Sequence, residues 1–482
     1  MEKDDYIQSV IAQGDEGSKL LAKTCTTTLK NSELVDIIQE GMNGIAVLRI
    51  PQEHVVFVHS IGGNPKEKDL ASYTASMVER LVNASKKQGL EPIGFANVID
   101  ASEGKKEDIE LIGKTLVERA NQYKLPILNG ELAILGNRVN CTANIMGTMI
   151  STAKRELISK LKTLPTIITS SGINYAAFDP QGKAIYINSD GIGTKTEFYE
   201  RAKRWHLGLG DSLAMKLDDT IKIGATAMVA SDVVETKGRI PFETLQKQAR
   251  WLGEKTGIMY ILQREIVGDR IRGYSDNSPS YNISGSSVSL IDEERLKNPL
   301  KPSEGEFLIA IRGNPNPRSN GITDKRKIAI KLLGDDYQET REGKLFLEYL
   351  AEPSTVLYPI FKKLIDEQAA TSVYHMSGGA YNGKLARPIA KHGLFVEINN
   401  IFPPDYRELA LAGANFTSAQ TAYGKWPMGN DGFITTKDSD NAIEIIKNKG
   451  LEAKVVGQLE RTDRTGVELT AFNGEKVYYK GD

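Results

Sequence analysis

Ala184-Ile185-Tyr186-Ile187-Asn188-Ser189-Asp190-Gly191-Ile192-Gly193-Thr194-Lys195-Thr196 is the stretch on which the fold and chemistry of this chain turn. Residues 184–188 form a short apolar run that reads as a buried strand. The loop that follows presents an acid, two glycines, a hydroxyl and a lysine. Asp190 offers a hard oxygen to a cation. Gly191 and Gly193 let backbone N–H groups approach anionic oxygens closely, and Lys195 sets a positive charge beside them. These are the parts needed to hold a magnesium-bound polyphosphate. The glycine spacing is not that of the GxxxxGK[ST] loop. Taken alone, Gly-x-Gly-Thr-Lys also reads as an ordinary tight turn, so the surrounding chain has to decide.

Upstream, the same order of elements occurs once already. A strand at 54–58 enters the turn Ile61-Gly62-Gly63-Asn64, and helical spacing follows over 70–85. A strand at 93–99, a helix at 106–123, the strand and turn Leu125-Pro126-Ile127-Leu128-Asn129-Gly130-Glu131, and a strand at 141–150 complete the first copy. In the second copy, strand 184–188 is followed by a helix over 212–230, Asp232 with a glycine-proline turn, a helix over 242–256, a strand at 258–262 reaching Glu265, and a strand at 281–291. Units of this type make α+β sheets with helices on one face, whose other apolar face needs a cover; a second copy is a natural one. A third region, from about Pro302, alternates strands, glycine loops and helices, as α/β domains do. The expected domains are 1–160, 161–300 and 301–482.

The 482 residues carry 61 Lys and Arg against 62 Asp and Glu, a net charge of −1 that gives no electrostatic ground for binding nucleic acid. No apolar run is long enough to span a bilayer, and the charged start, Met1-Glu2-Lys3-Asp4-Asp5, lacks the apolar core of a secretion signal. Two cysteines and five histidines fall in no metal-ligand spacing, and a reducing cytoplasm is the expected compartment.

The Ser-Asp-Gly-Ile-Gly-Thr-Lys loop resembles the phosphate and metal loop of the phosphoribosylformylglycinamidine cyclo-ligase (aminoimidazole ribonucleotide synthetase) family. Four later stretches are similar to that family's motifs in the same order: Ser319-Asn320-Gly321, Pro353-Ser354-Thr355 through Tyr358, His375-Met376-Ser377-Gly378-Gly379, and Met428-Gly429-Asn430-Asp431-Gly432. The resemblance covers about residues 165–460. It implies an α+β fold of two tandem N-domains, the first degenerate, pairing as a pseudodimeric sheet barrel, followed by one α/β C-terminal domain. A chain built as an internal pseudodimer is expected to be a monomer.

The resemblance also implies ATP and Mg2+ as cofactors and a small ribonucleotide as substrate. Asp190, Gly191, Gly193, Thr194, Lys195 and Thr220 are the expected nucleotide contacts. Asp190, Asp232 and Glu131 are the expected metal ligands, the last from the first copy. Lys195 and Asp219 are assigned to catalysis. Arg318, Ser319, Asn320 and Gly321, with Ser377, Gly378 and Gly379, are assigned to the substrate, because helix-start amides, hydroxyls and a guanidinium suit a phosphate.

The departures from the family pattern matter. Ser231-Asp232 stands for an Asn-Asp pair, to which Asn83-Ala84 corresponds in the first copy. Asp218-Asp219-Thr220 stands for His-Asp-Thr and lacks the histidine; His206 is a candidate replacement, though more readily a surface residue. His375 reads as a satisfied core histidine. Asp232 also reads as a turn acid, Lys195 as a solvated helix-start lysine, and the 317–321 and 377–379 loops as plain turns. Three functions stay open: a working ATP-dependent cyclo-ligase, a degenerate nucleotide-binding relative, and a related ATP-dependent activator of another small substrate.

Overall fold

In the computed structural model, residues 16–37, 46–158, 161, 163–276, 278–416 and 418–481 are described. The chain divides into two compact units: residues 1–200 with 225–297, and residues 201–224 with 298–482. The expected boundaries therefore shift. Both six-stranded sheets fall in one unit, and the segment 201–224, expected with the second of them, belongs to the other unit.

The first unit is built on two six-stranded sheets. Its strands are β1 Val35–Ile37, β2 Ala46–Leu48, β3 His54–Gly62, β4 Glu91–Ala101, β5 Ile127–Ile134, β6 Ala143–Lys154, β7 Thr166–Ser170, β8 Ile173–Phe178, β9 Ala184–Gly191, β10 Thr226–Lys237, β11 Met259–Ile266 and β12 Ser280–Ile291. One sheet runs β7-β8-β3-β6-β4-β5 and the other β1-β2-β9-β12-β10-β11. The two orders are the same, and in each the last pair is parallel: β4 with β5 and β10 with β11. The leading hairpins are exchanged: β1–β2, which precede β3, join β9, while β7–β8, which precede β9, join β3. Residues 166–178, assigned to the second copy from sequence, thus complete the first sheet. Neither sheet closes into a barrel among the described residues; both are open, which corrects the barrel expectation.

The sheets pack face to face because alternate residues on their facing strands are apolar. Val56, Val58, Ile150 and Phe178 of the first meet Ile185, Ile187, Val229 and Val288 of the second in one core. Each such side chain, fully buried, contributes about 1.5–3 kcal/mol. Val139 and Ile271 form a bridge, flanked by Asn140 N–H to Arg270 O at 2.8 Å and Arg272 N–H to Arg138 O at 2.9 Å. The outer face of the first sheet is covered by α1 Leu70–Lys87 and α2 Lys106–Tyr123, whose apolar faces carry Met77, Leu81, Ile112 and Leu116.

The second unit contains α3 Gly208–Ile221, a sheet ordered β14-β16-β13-β17 (Ser372–His375, Gly432–Thr436, Phe307–Arg312, Glu452–Gln458) and a smaller sheet of β15 Phe395–Ile398, β18 Gly466–Thr470 and β19 Lys476–Tyr479. No helix among the described residues is long and apolar enough to cross a membrane.

Candidate functional site

In the first unit, Asp190 and Gly191 belong to the end of β9 rather than to a loop, and the turn proper is the 3-10 segment Gly193–Lys195. Asp190 pairs with Gly285 of β12, and Gly285 pairs with Asp232 of β10. Directly opposed residues share a face, so both carboxylates stand on the sheet's outer face, about 10 Å apart at the backbone across two strand spacings. Gly285 has to be glycine: a Cβ there would lie 2.1 Å from Ser231 O and 2.4 Å from Asp232 Oδ1. The backbone N–H of Gly191 donates to Asp190 Oδ1 at 2.7 Å, and Gly193 adopts φ +56°. Lys195 is buried, its Nζ 5.7 Å from the centre of the Tyr199 ring.

Asp232, expected as a metal ligand, lies in mid-strand and is fully buried, with Oδ2 accepting from the Tyr260 hydroxyl at 2.5 Å, so it is not the exposed turn acid that its sequence surroundings also allow. The predicted helix over 212–230 stops at Ile221, and its last residues belong to β10. Glu131 pairs with Val98, on the face that carries Ala96 and Asp100 and meets the second sheet. Asp190, Asp232 and Glu131 are therefore not gathered as a metal centre; no cluster of three or more His, Cys, Asp or Glu among the described residues is placed to hold an ion.

Arg138 escaped the sequence reading. It comes from the first copy and forks onto Glu200, with Nη1 to Oε2 at 2.8 Å and Nη2 to Oε1 at 2.6 Å, and Nη2 also reaches Thr196 Oγ1 at 2.9 Å. It pins the helix Thr196–Ala202 directly after the glycine turn. The turn Gly136-Asn137-Arg138 recurs as Gly268-Asp269-Arg270, the one sequence signal that could have exposed it.

In the second unit, Asp219, Arg318 and Ser377 come together around His375. The His375 ring is buried; Nε2 lies 3.0 Å from Asp219 Oδ1 and 3.2 Å from Ser377 Oγ, and Nδ1 lies 3.5 Å from Arg318 Nη2. Burial pushes His375 down to about 3 despite the pull of Asp219. A neutral ring with hydrogen on Nε2 suits these partners, donating to Asp219 and accepting from Arg318 at Nδ1. Asp219 experiences an upward push from burial, but Lys222 and Lys384 outweigh it and hold the carboxyl well below its usual range. Burial raises Asp218 to about 7 against the opposing effect of Arg318.

Arg318, expected to bind an anion, is a positioning residue inside the fold. Its guanidinium donates to Met376 O at 3.1 Å, Thr355 O at 2.6 Å and Asp218 Oδ2 at 3.1 Å. Ser319 Oγ donates to Asp211 Oδ1 at 2.9 Å, and Asn320 Nδ2 to Ser377 O at 2.9 Å. Gly321, at φ +62°, packs against Trp426. Thr220 is buried and donates to Lys216 O at 2.9 Å, which turns its hydroxyl into its own helix. What reaches solvent is the exposed Gly378-Gly379 turn with the partly exposed Asp219, Lys222 and Lys384. His206 lies half-buried in a 3-10 turn at 205–207.

No family model matches the chain. The phosphoribosylformylglycinamidine cyclo-ligase of Pyrococcus horikoshii is 26% identical over 278 residues, covering 57% of this chain and 78% of that protein. The protein of the same name from Thermococcus kodakarensis is 23% identical over 338 residues, covering 68% of this chain and 96% of its own. The resemblance to the cyclo-ligases thus extends over more than half of the chain. Among solved structures, Escherichia coli HypE aligns with a TM-score of 0.38 and 15% identity over 61% of this chain and 84% of its own. Thermotoga maritima PurL complexed with AMPPCP aligns with a TM-score of 0.35 and 13% identity over 61% of this chain and 43% of its own.

Proposed function

We propose that the chain is an ATP-dependent ligase of the cyclo-ligase type that converts formylglycinamidine ribonucleotide to aminoimidazole ribonucleotide. In that reaction the amide oxygen takes the γ-phosphoryl group as ADP leaves, and an amidine nitrogen attacks the same carbon and expels phosphate as the ring closes. The observation that carries the reading is the end of β9, where Asp190 leads into the Gly193–Lys195 turn. Its weight comes from two relatives bearing the cyclo-ligase name over 57% and 68% of the chain. Phosphoryl transfer asks mainly for positioning and charge neutralisation. Lys195 supplies charge toward the phosphates, and the glycine-turn amides orient them. Magnesium, when bound, would neutralise phosphate charge; one or two carboxylates with phosphates and water suffice to hold it, and Asp190 is the accessible candidate. On the substrate side, the Gly378-Gly379 amides with Lys222 and Lys384 suit a ribose phosphate, while His375 fixes Asp219 beside them.

The repeated strand order supports reading the first unit as two N-domain copies with one surviving nucleotide site, and the protein as a monomer. A second reading, nucleotide binding without turnover, is favoured by Asp232, which Tyr260 and the strand seal from solvent. ADP release driven by formylglycinamidine ribonucleotide decides between them. Under the first reading Asp190→Asn lowers kcat/KM by about 10²–10³ with the fold intact. Unchanged turnover would remove Asp190 from the site. Binding of one magnesium–ATP analogue without any ADP release would leave the second reading.

A further inference from the structure

Two arginines cross between the sheets of the first unit in matching ways, and one of them reaches the turn assigned to phosphate. Arg138 ends the turn Gly136–Arg138 after β5 of the first sheet, and Arg270 ends the turn Gly268–Arg270 after β11 of the second. The Val139–Ile271 bridge sets the two turns side by side. Each arginine then extends to the segment that follows the other sheet's glycine turn. Arg270 donates to Ala143 O at 2.8 Å and Glu67 O at 3.3 Å, with its guanidinium 3.7 Å from the centre of the Tyr73 ring. That ring lies against Gly63, where a Cβ would meet it at 2.6 Å. The turn Ile61–Asn64 carries neither acid nor lysine, and an aromatic ring closes one side of it.

Arg138 crosses the other way. Held by the fork onto buried Glu200, its Nη2 donates to Thr196 Oγ1 at 2.9 Å. Thr196 Oγ1 donates onward to Gly193 O at 3.3 Å. Gly193, at φ +56°, is the residue that bends the chain after β9. A fixed guanidinium therefore holds a hydroxyl, and the hydroxyl holds a carbonyl of the glycine turn. Leu135, three residues before Arg138, packs on the same glycine: a Cβ there would lie 3.6 Å from Leu135 Cδ2. Glu200 Oε1 also accepts from Tyr281 N–H at 3.2 Å, which ties the brace to β12. Glycine backbone is the most mobile there is. Fixing one of its peptides reduces the ordering that an anion has to impose, and preorganised donors bind charge more tightly than mobile ones.

We infer that Arg138 is a positioning residue of the nucleotide site: standing on the first sheet and acting through Thr196, it holds the Gly193–Lys195 turn of the second in the shape that receives phosphate. This rests on the nucleotide reading of that turn given above, and it gives the sheet whose own glycine turn is closed a part in the site. Isothermal titration of the full chain with magnesium–AMPPCP is the test. Thr196→Val keeps the Arg138–Glu200 pair and cuts the link to Gly193; it should raise Kd about three- to tenfold, and Thr196→Ser, which keeps the hydroxyl, should restore the parental value. Arg138→Lys keeps the charge but loses the fork, and should raise Kd about tenfold or more. Arg270→Lys makes the same change at the closed turn and should leave Kd unaltered. Where Arg138→Lys fails to fold, the Thr196 pair decides. Parental affinity in Thr196→Val, or a loss in Arg270→Lys equal to that in Arg138→Lys, overturns the role of Arg138 while the nucleotide reading stands. A parent chain that binds no analogue overturns that reading, and this inference with it.

Discussion

The two sheets of the first unit carry the same row of three residues in different chemistry. In the second sheet it reads Asp190–Gly285–Asp232; at the matching place in the first it reads Ile61–Gly147–Asn97. Both rows centre on a glycine in the fourth strand of the copy, yet different neighbours occupy the space above it. Over Gly147, a Cβ would come within 2.4 Å of Met77 Sδ and 2.5 Å of Leu81 Cδ1, so α1 lies in the place a ligand would need. Over Gly285 the close neighbours are Ser231 O and the Asp232 carboxylate. One strand order thus supports an apolar helix seat in one sheet and a carboxylate pair in the other. Asn97, not Asn83, is the counterpart of Asp232; Asn83 sits exposed on α1.

The sharpest contrast between the two sheets is between the arginines of their matching Gly-x-Arg turns. Arg138 is 5% exposed and forks onto the buried Glu200, while Arg270 is half-buried, donating to Asn144 Oδ1 at 3.0 Å and Ala143 O at 2.8 Å over the Tyr73 ring. Breaking a buried ion pair strands the remaining charge and costs about 3–5 kcal/mol; losing a part-buried arginine with mainly carbonyl partners costs about 1–2 kcal/mol. Urea unfolding of Arg138→Ala and Arg270→Ala should show that gap. Equal losses would mean that the two turns are anchored alike, against the asymmetry drawn here.

The two central glycines should separate next. Gly285→Ala sets a methyl against backbone, Ser231 O at 2.1 Å and Asp232 Cα at 2.8 Å, so the strands themselves have to part. Gly147→Ala presses on the ends of two side chains that can change rotamer. Overpacking costs about 1–3 kcal/mol, and these two substitutions should fall near the upper and lower ends of that range. The midpoint of chemical denaturation measures both, and a Gly147→Ala variant as damaged as Gly285→Ala would show that α1 has no freedom to yield.

Much of this frame was legible in the sequence. The helices at about 106–123 and 242–256 are legible because their apolar spacing is regular; the structure ends them with left-handed residues at Lys124 and Gly257, of which only the glycine is a stop signal in the sequence. The helix predicted over 212–230 ran too far because Ala-Met-Val-Ala suits either helix or strand, and tertiary pairing with β12 decides it. An aspartate in mid-strand contradicts strand propensity, so the sequence offers a metal ligand or a turn acid at Asp232 and gives no sign of the strand that buries it. The exchanged hairpins were out of reach, since no local pattern records which sheet a strand joins. The partners of the buried polar groups were hidden for a related reason: Arg138 meets Glu200 and Asp219 meets His375 across 62 and 156 residues. His375 was correctly read as buried, but what it holds was not visible in its neighbours in the chain.

The smallest expected effect concerns the acids that face each other between the sheets. Asp100 pairs with Asn144 in the first, and Glu235 pairs with Asn282 in the second. Asn282 Nδ2 donates to Asp100 Oδ2 at 2.7 Å and Glu235 Oε2 at 3.3 Å, so one amide serves both carboxylates. Burial raises Asp100 to about 6, against the bonds from Asn282 and Ser284. Burial and then the neighbouring Asp100 raise Glu235 to about 8, with Arg270 opposing. Both folded values lie above the unfolded ones, so the folded state holds these protons longer. Their contribution is therefore fully favourable below about pH 4 and is lost as pH rises, through about 6 for Asp100 and about 8 for Glu235. Glu235→Gln removes the group that titrates latest. Between pH 5 and pH 8 the stability of the variant should fall less steeply with pH than that of the parent, whereas Asp100→Asn should flatten mainly the part below about pH 6. Parallel urea titrations across that range measure the difference, and a parent whose stability rises toward pH 8 along with both variants would place these two acids outside the coupled pair.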